Sequence, residues 1–323
     1  MTKKISRIIV TGGWGFIGSR FILQALKHPE YHIKVIDSGT YAADKSRVFD
    51  NISPEDRWRL EFLTWDINDV TPSMLKGAEY IVNFAAESHV DNSIENGKPF
   101  IRSNIEGVFS LLESARHVKT LKKFVQISTD EVYGDMDFYC KESEADEHYP
   151  LRPSSYYSAS KSSADLLVEA AARTFGITYL ITRSCNNYGP GQHPEKFIPK
   201  VFKSIEEGTP VPVYGDGSQI REWIHVDDNA EIILELMLSA ARNEVFNIGS
   251  GYHYKNIEVI KYIEKTLGRK VKFDFVADRL GHDHSYRLNS SKLTEFIGER
   301  VFNTLEGFLK DEAKKQKNSI DRR

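Results

Sequence analysis

Ile8-Ile9-Val10-Thr11-Gly12-Gly13-Trp14-Gly15-Phe16-Ile17-Gly18 is the stretch that decides the fold class. Ile8 to Val10 is a short apolar run of the kind that forms a strand buried on both faces. The glycines at 12, 15 and 18 follow with the spacing G-x-x-G-x-x-G, and helical apolar spacing continues to about Lys27. The first glycine permits a tight turn, the second lets backbone approach a diphosphate, and the third lets helix pack on strand. The helix start adds N–H donors and a positive dipole end. Glycine spacing alone is a weak signal; the strand–turn–helix context gives it weight. Phe16 and Ile17 fall inside this cofactor loop.

Working outward, His32-Ile33-Lys34-Val35-Ile36 reads as a second strand ending at Asp37, about 20 residues past the glycines. A carboxylate there can accept from ribose hydroxyls and repels a 2′-phosphate, so NAD is expected rather than NADP. The competing reading is an ordinary strand-end aspartate. Leu60–Leu63 is a third strand followed by Asp66-Ile67, and Tyr80–Phe84 is a fourth. The fourth runs into Ala85-Ala86-Glu87-Ser88-His89-Val90-Asp91, where small residues let backbone lie against a flat cofactor. Phe100–Ala115 has helical spacing, and Phe124-Val125-Gln126-Ile127 is a fifth strand. Strands and helices thus alternate through the first 130 residues, which predicts an α/β, doubly wound parallel sheet.

Ser128-Thr129-Asp130-Glu131 stands where that fifth strand should end. Ligands of open parallel sheets bind beyond the carboxyl ends of the strands. Neighbouring residues on a strand point to opposite faces, so both acids can face one substrate only if the chain turns here, and Val132-Tyr133-Gly134-Asp135 offers that turn. Two solvated loop acids are the plain alternative. After an acidic segment, 135–153, which reads as an exposed excursion able to cover a site, a helix begins near Ser155 and runs to about Phe175. Its Tyr157 and Lys161 are four residues apart and share one face. An ammonium beside a phenol favours the phenolate, and such a tyrosine can take a proton from an alcohol as hydride leaves. Alone, Y-x-x-x-K is a common surface pair.

Thr178–Arg183 is another strand, and the turn-rich Cys185–His193 marks the passage to a second region. The expected organisation is a nucleotide-binding Rossmann domain, 1–186, and a smaller mixed α/β domain, 187–323, with part of 220–247 returning to pack on the first. Lys196, Arg221, Arg279 and His282 could gather around phosphates; each taken singly is a solvated cation.

Net charge is −3 over 323 residues, which argues against a dedicated nucleic-acid binder. No run of about 18 apolar residues exists, so no membrane helix is expected. The run after Met1–Ile5 is too short for a signal peptide, and the basic tail from Lys314 reads as a solvated helix end. Two cysteines, Cys140 and Cys185, form no metal-type pair and suit a reducing cytoplasm; no metal is expected.

Taken together, Thr11–Gly18, Ala85–Asp91, Ser128–Gly134, Tyr157–Lys161, Asn186–Pro190 and Asp278–Asp283 resemble the extended short-chain dehydrogenase/reductase superfamily. Within it they resemble most the nucleotide-sugar 4,6-dehydratases that act on dTDP-glucose. Thr129-Asp130-Glu131 is the discriminating part, because the related 4-epimerases lack the acid pair and decarboxylases usually carry serine at the Asp130 position. The resemblance implies that Gly12, Gly15, Phe16, Ile17, Gly18, Asp37, Asp66, Ile67, Ala85, Ala86, Tyr157 and Lys161 hold NAD. It implies that Ser88, His89, Asn187, Lys196, Arg221, Asn247, Arg279 and His282 hold the nucleotide sugar, dTDP- or UDP-glucose. It implies oxidation at C4 assisted by Tyr157, loss of water across C5/C6 with Glu131 as base and Asp130 as acid, and hydride return to C6, with Thr129 in the same catalytic set. A homodimer pairing through helices near 97–116 and 156–175 is also implied. The sequence departs from the pattern at Asn92, usually arginine, at Ser285, where a basic residue is common, and in the short 135–153 loop. A UDP-sugar 4-epimerase, a UDP-glucuronate decarboxylase and a non-catalytic NAD-binding regulator are the rival readings.

Overall fold

Seven parallel strands make the central sheet: β1 (Ser6–Thr11), β2 (Tyr31–Asp37), β3 (Leu60–Thr64), β4 (Tyr80–Asn83), β5 (Lys123–Thr129), β6 (Tyr179–Ser184) and, after three strands placed elsewhere, β10 (Glu244–Ile248). The structure, a computed structural model, describes residues 5–139, 144–279 and 281–320. Residues 1–4, Cys140 and residues 141–143 of the acidic excursion, Leu280 and the last three residues of the basic tail lie outside that range.

The strand order β10-β6-β5-β4-β1-β2-β3 reverses direction between β1 and β4, and that reversal opens the crevice where such sheets bind ligands. Alternation along β1 builds a core on each face. Ile8 and Val10 pack with Phe21 and Ile22 of helix Phe16–Leu26, and with Ile232 and Ile233 of helix Val226–Leu238. Ile9 points the other way, among Leu111, Ala164 and Val168 of helices Gly107–Ala115 and Tyr156–Phe175. Ile8, Ile9 and Val10 are 0% exposed, and burying such side chains stabilises by about 1.5–3 kcal/mol each.

The helix carrying Tyr157 is delimited by its own sequence. Ser155 accepts from Ser158 N at 3.1 Å while Ser158 Oγ accepts from Ser155 N at 3.0 Å, a capping box. Gly176 ends it at φ 73°, in the left-handed region.

The helix expected over Phe100–Ala115 is not uniform. Ile101–Glu106 forms a wide π turn before the α-helix resumes at Gly107. The extra residue turns Asn104 inward, where its amide bonds Ser160 Oγ at 2.8 Å and both backbone groups of Glu87, accepting from N at 2.9 Å and donating to O at 3.0 Å. A polar side chain thereby fixes the segment after β4 to the Tyr157 helix, a use typical of π turns.

The remaining strands form two small sheets: β7 (Asn186–Tyr188) and β11 (His253–Lys255) flank β9 (Ile220–His225), and β8 (Val211–Tyr214) pairs with β12 (Phe273–Val276). The turn-rich segment after Cys185 is thus partly a strand, because Asn186–Tyr188 finds a parallel partner in Trp223–His225. Between these sheets the chain returns to the large one. Helix Val226–Leu238 packs on helix Phe16–Leu26, where Arg20 grips Asp227 through two hydrogen bonds of 2.5 and 2.7 Å. β10 then extends the sheet beside β6.

Candidate active site

The glycine turn is set by two close approaches. Gly12 has φ 66°, and a Cβ there would lie 2.5 Å from Ala85 N; a Cβ on Gly18 would lie 2.5 Å from Gly12 O. The turn therefore sits directly against the end of β4 and the start of the first helix. Asp37 locks it from the other side, with Oδ2 accepting from Trp14 N at 3.0 Å and Oδ1 from Gly39 N at 2.9 Å. Burial pushes the Asp37 carboxyl up, opposed by these two amides.

Two adjoining cavities of about 260 and 310 Å³ share Gly12, Gly15, Ala42, Phe84 and Ala86. The first is lined by Asp37, Asp66, Ile67 and Ala85; the second by Phe16, Ile17, Gly18, Ser88, Thr129, Asp130, Glu131, Tyr157, Lys161, Asn187 and Lys196. The glycine positions leave a cradle that a Cβ would fill, next to a helix N-terminus and ending at an acidic strand terminus. These features fit NAD, and every residue expected to hold it lines one cavity or the other. Arg102 was not foreseen there; its Nη2 donates to Asp66 Oδ2 at 3.1 Å.

At the far end the chain leaves strand geometry as expected. β5 stops at Thr129 and Asp130–Tyr133 forms a 3₁₀ turn, ended by Gly134 at φ 76°. Thr129 organises the turn: its hydroxyl accepts from Glu131 N at 3.3 Å and donates to Asp130 Oδ1 at 3.0 Å. Asp130 is 2% exposed, and its Oδ2 is buried with no hydrogen-bond partner among the described residues. Burial and the adjacent Glu131 push the Asp130 carboxyl well above the usual carboxylate range, outweighing the Thr129 hydroxyl and Arg221. Burial also raises Glu131, but Arg279, Arg221 and Lys196 pull it back toward the ionised form. Burial thus raises both adjacent acids, Asp130 well above the usual range, while three cations oppose the shift at Glu131.

Tyr157 and Lys161 both line this cavity, but their electrostatics differ from the expectation of a lysine lowering the phenol. Lys161 Nζ donates to the Ile127 carbonyl, and burial lowers it to about 8 against the opposing pull of Asp165. Asp165 in turn accepts from Arg183 Nε and Ser128 Oγ, each at 3.0 Å. Burial pushes the Tyr157 phenol up, and Glu131 and Asp130 add to that shift.

The residues expected to hold the nucleotide sugar divide. Lys196 Nζ donates to Ser88 O at 2.9 Å, across the mouth of the cavity. Asn187 is oriented by donating to Cys185 O at 2.9 Å and accepting from Asn229 at 2.8 Å. His89 keeps a buried Nδ1 unpaired, and burial followed by Lys196 lowers its pKa. Arg279 bonds Asp91 Oδ1 at 2.9 Å, and its Nε has no partner among the described residues. Arg221 donates to the carbonyls of Ile220, His284 and Asp283, and its guanidinium lies 4.4 Å from the Tyr286 ring centre.

Two of the expected residues differ in character from the others. Burial and Arg279 depress His282 to about 4, so it offers a neutral ring rather than a charge near pH 7. Asn247 is 0% exposed. Its Oδ1 accepts from Tyr133 OH at 2.7 Å, and its Nδ2 donates to Ala145 O at 2.8 Å and Asn289 O at 3.1 Å. In this structure its amide ties β10 to the neighbouring loops. Sequence reading also missed Asn104 and Asp165, because neither belongs to a motif and both act through partners distant in the chain.

Comparison with known proteins agrees with this geometry. Residues 8–249 match the model of the NAD dependent epimerase/dehydratase family. The chain is 41% identical over 294 residues to the low-salt glycan biosynthesis protein Agl12 of Haloferax volcanii, covering 90% of this chain and 92% of the relative. It is 40% identical over 304 residues to a dTDP-glucose 4,6-dehydratase of Streptomyces niveus, covering 90% and 87%. Among solved structures it resembles the dTDP-glucose 4,6-dehydratase DesIV of Streptomyces venezuelae, crystallised with NAD, at TM-score 0.89, 37% identity and 98% coverage of each chain.

Proposed function

The chain belongs to the NAD dependent epimerase/dehydratase family, and we propose that within it this protein is a nucleotide-sugar 4,6-dehydratase, a hydro-lyase that converts dTDP- or UDP-glucose to the 4-keto-6-deoxy sugar. The observation that carries this reading is Asp130: a buried carboxyl with one oxygen unpaired among the described residues, its charge disfavoured by burial and by Glu131, beside a second acid whose upward shift Arg279, Arg221 and Lys196 oppose. An epimerase needs no such pair, and a regulator that only binds NAD has no use for it.

The glycine turn, Asp37, Asp66, Ile67, Ala85, Ala86, Tyr157 and Lys161 would hold NAD, which would supply reversible hydride transfer between itself and the sugar at C4 and C6. Tyr157 must act as its phenolate to take the proton of the 4-hydroxyl, with Lys161 and Thr129 fixing the polar surroundings of its oxygen. The C4 ketone acidifies the C5 proton, which Glu131 removes and gives back to C5 when hydride reaches C6. Asp130 gives its proton to the 6-hydroxyl, which leaves as water. The three groups divide the work by environment: a buried phenol, a carboxylate near Arg279, Arg221 and Lys196, and a carboxyl whose charge burial suppresses. Lys196, Arg221 and Arg279 bear the substrate's phosphates, while Ser88, His89, Asn187 and neutral His282 offer hydrogen bonds.

Incubation with dTDP-glucose, UDP-glucose and GDP-mannose in parallel, read by mass spectrometry, tests the assignment. Loss of water from a glucose nucleotide is expected; an isomer of unchanged mass would establish an epimerase instead.

The assembly proposed is a homodimer joined by a four-helix contact. Ile101 (42% exposed), Phe109 (53%), Tyr156 (63%) and Leu166 (57%) present apolar surface on the two helices involved. Light scattering at micromolar concentration should give twice the chain mass, and a monomer would refute it. The compartment proposed is the cytoplasm, which suits the free, buried Cys185 thiol; among the described residues no helix is long and apolar enough to cross a membrane.

A further inference from the structure

Two loops meet across the cleft beside the glycine turn. One follows β2, carries Tyr41 and leads into the short helix Ser46–Phe49 with Arg47; the other follows β7 and carries Gly191, His193 and Glu195. Arg47 Nη1 donates to the carbonyls of Trp14 and Ala42 at 2.8 Å each, which fastens the guanidinium to the glycine turn itself. Its Nε is buried and meets no partner among the described residues. The side chain lines the same cavity as Gly12, Gly15 and Phe16, and its stem packs so closely on Gly191 that an added Cβ would lie 3.4 Å from Arg47 Cδ. From the outer side, Tyr41 OH donates to Glu195 Oε1 at 3.2 Å, and the His193 ring stands edge-on to Tyr41 at 5.4 Å. Burial, Glu195 and Glu87 push the Tyr41 phenol up to about 12, so it remains a donor at neutral pH.

A diphosphate on the glycine turn is met by amides and a helix end, which supply only partial charge. The other basic side chains along the two cavities are held elsewhere: Lys161 at Ile127, Lys196 at Ser88 and Arg102 at Asp66. Arg47 is the lining cation bonded to the turn, and it has a donor to spare. We propose that Arg47 is the cation that meets the diphosphate of NAD, from a strap that the Tyr41–Glu195 hydrogen bond fastens across the cleft. Because the reaction returns its hydride, the cofactor need not leave between turnovers, and a fastened strap prolongs its stay.

The proposal rests on the cofactor reading of the cleft, and the experiment separates the two. Calorimetry measures binding of NAD, ADP-ribose and adenosine to the native protein, Arg47→Gln and Arg47→Lys, and stopped-flow measures NAD release from Tyr41→Phe. Charge-assisted hydrogen bonds contribute enough that Arg47→Gln should weaken NAD and ADP-ribose by at least about tenfold. Adenosine, which lacks the diphosphate, should bind Arg47→Gln as it binds the native protein, and Arg47→Lys should recover part of the loss. Tyr41→Phe should release NAD about two- to tenfold faster, the range for one solvent-exposed hydrogen bond. Equal weakening of adenosine and ADP-ribose would mark a structural role and overturn the proposal, as would native affinity for NAD in Arg47→Gln. Failure of the native protein to bind NAD would overturn the cofactor reading and this proposal with it.

Discussion

The two walls of the cleft are built in different ways. The cofactor wall is mostly backbone: a glycine turn, an acidic strand end and small residues at 85 and 86, all within the first 86 residues and placed by one parallel sheet. The substrate wall is mostly side chain. Its Lys196, Arg221 and Arg279 come from separate segments, and each is positioned by a polar partner from elsewhere, Ser88, Asp283 or Asp91. The acid pair stands between them, on the first sheet but electrically tied to the second wall. A backbone wall tolerates little change and recognises one cofactor; a wall of flexible cations can be altered residue by residue.

The largest effect is expected at the junction. Asp130→Asn should lower dehydration by at least about a hundredfold, with oxidation at C4 intact, so reduced nicotinamide accumulates on mixing with substrate. Tyr157→Phe should instead prevent that accumulation. Near-native dehydration by Asp130→Asn would place the acid elsewhere and dissolve the link between the walls. The same variant has a stability signature. A carboxyl whose folded pKa is raised stabilises the fold fully below its unfolded pKa and loses that contribution as pH rises through its folded value. Asn carries no such term, so thermal unfolding should show Asp130→Asn gaining on the native protein as pH rises above about 4.

Next in size is the backbone wall. Gly12→Ala combines a positive φ with a contact of 2.5 Å to Ala85 N, and should cost several kcal/mol of stability or abolish NAD binding. Native-like NAD affinity in a titration would show that this wall yields after all. Smaller is the side-chain wall. Arg279→Met should raise KM about tenfold or more while leaving the NAD dissociation constant unchanged; equal loss of both would mean the walls are not independent. The smallest change is expected outside the site. Tyr133→Phe removes the bond to Asn247 and should lower stability by about 1–3 kcal/mol in denaturant unfolding, with kcat retained. A fall in kcat would give Asn247 a part in the site.

Much of this was legible in the chain itself because it depends on local periodicity. Apolar runs at 8–10, 33–36, 81–82 and 124–127 specify strands, and the glycine spacing specifies the turn between the first of them and its helix. Adjacent acids at a strand end, and a tyrosine and lysine four apart, are readable because a helix or turn places near neighbours predictably. These features determined the sheet and the cofactor, and they mark the groups proposed to react.

Tertiary structure alone decided which polar groups are free to act. Asn247 and Arg279 look equivalent as letters; burial and three hydrogen bonds engage the first, while the Nε of the second has no partner among the described residues. His282 is a cation by type and neutral by environment. The π turn that brings Asn104 inward, and the return of residues 226–248 to the large sheet, depend on partners many tens of residues away. Charge state follows desolvation and through-space fields, and hydrogen-bond satisfaction follows three-dimensional proximity. Neither is a function of sequence separation, so neither could be read until the chain was folded.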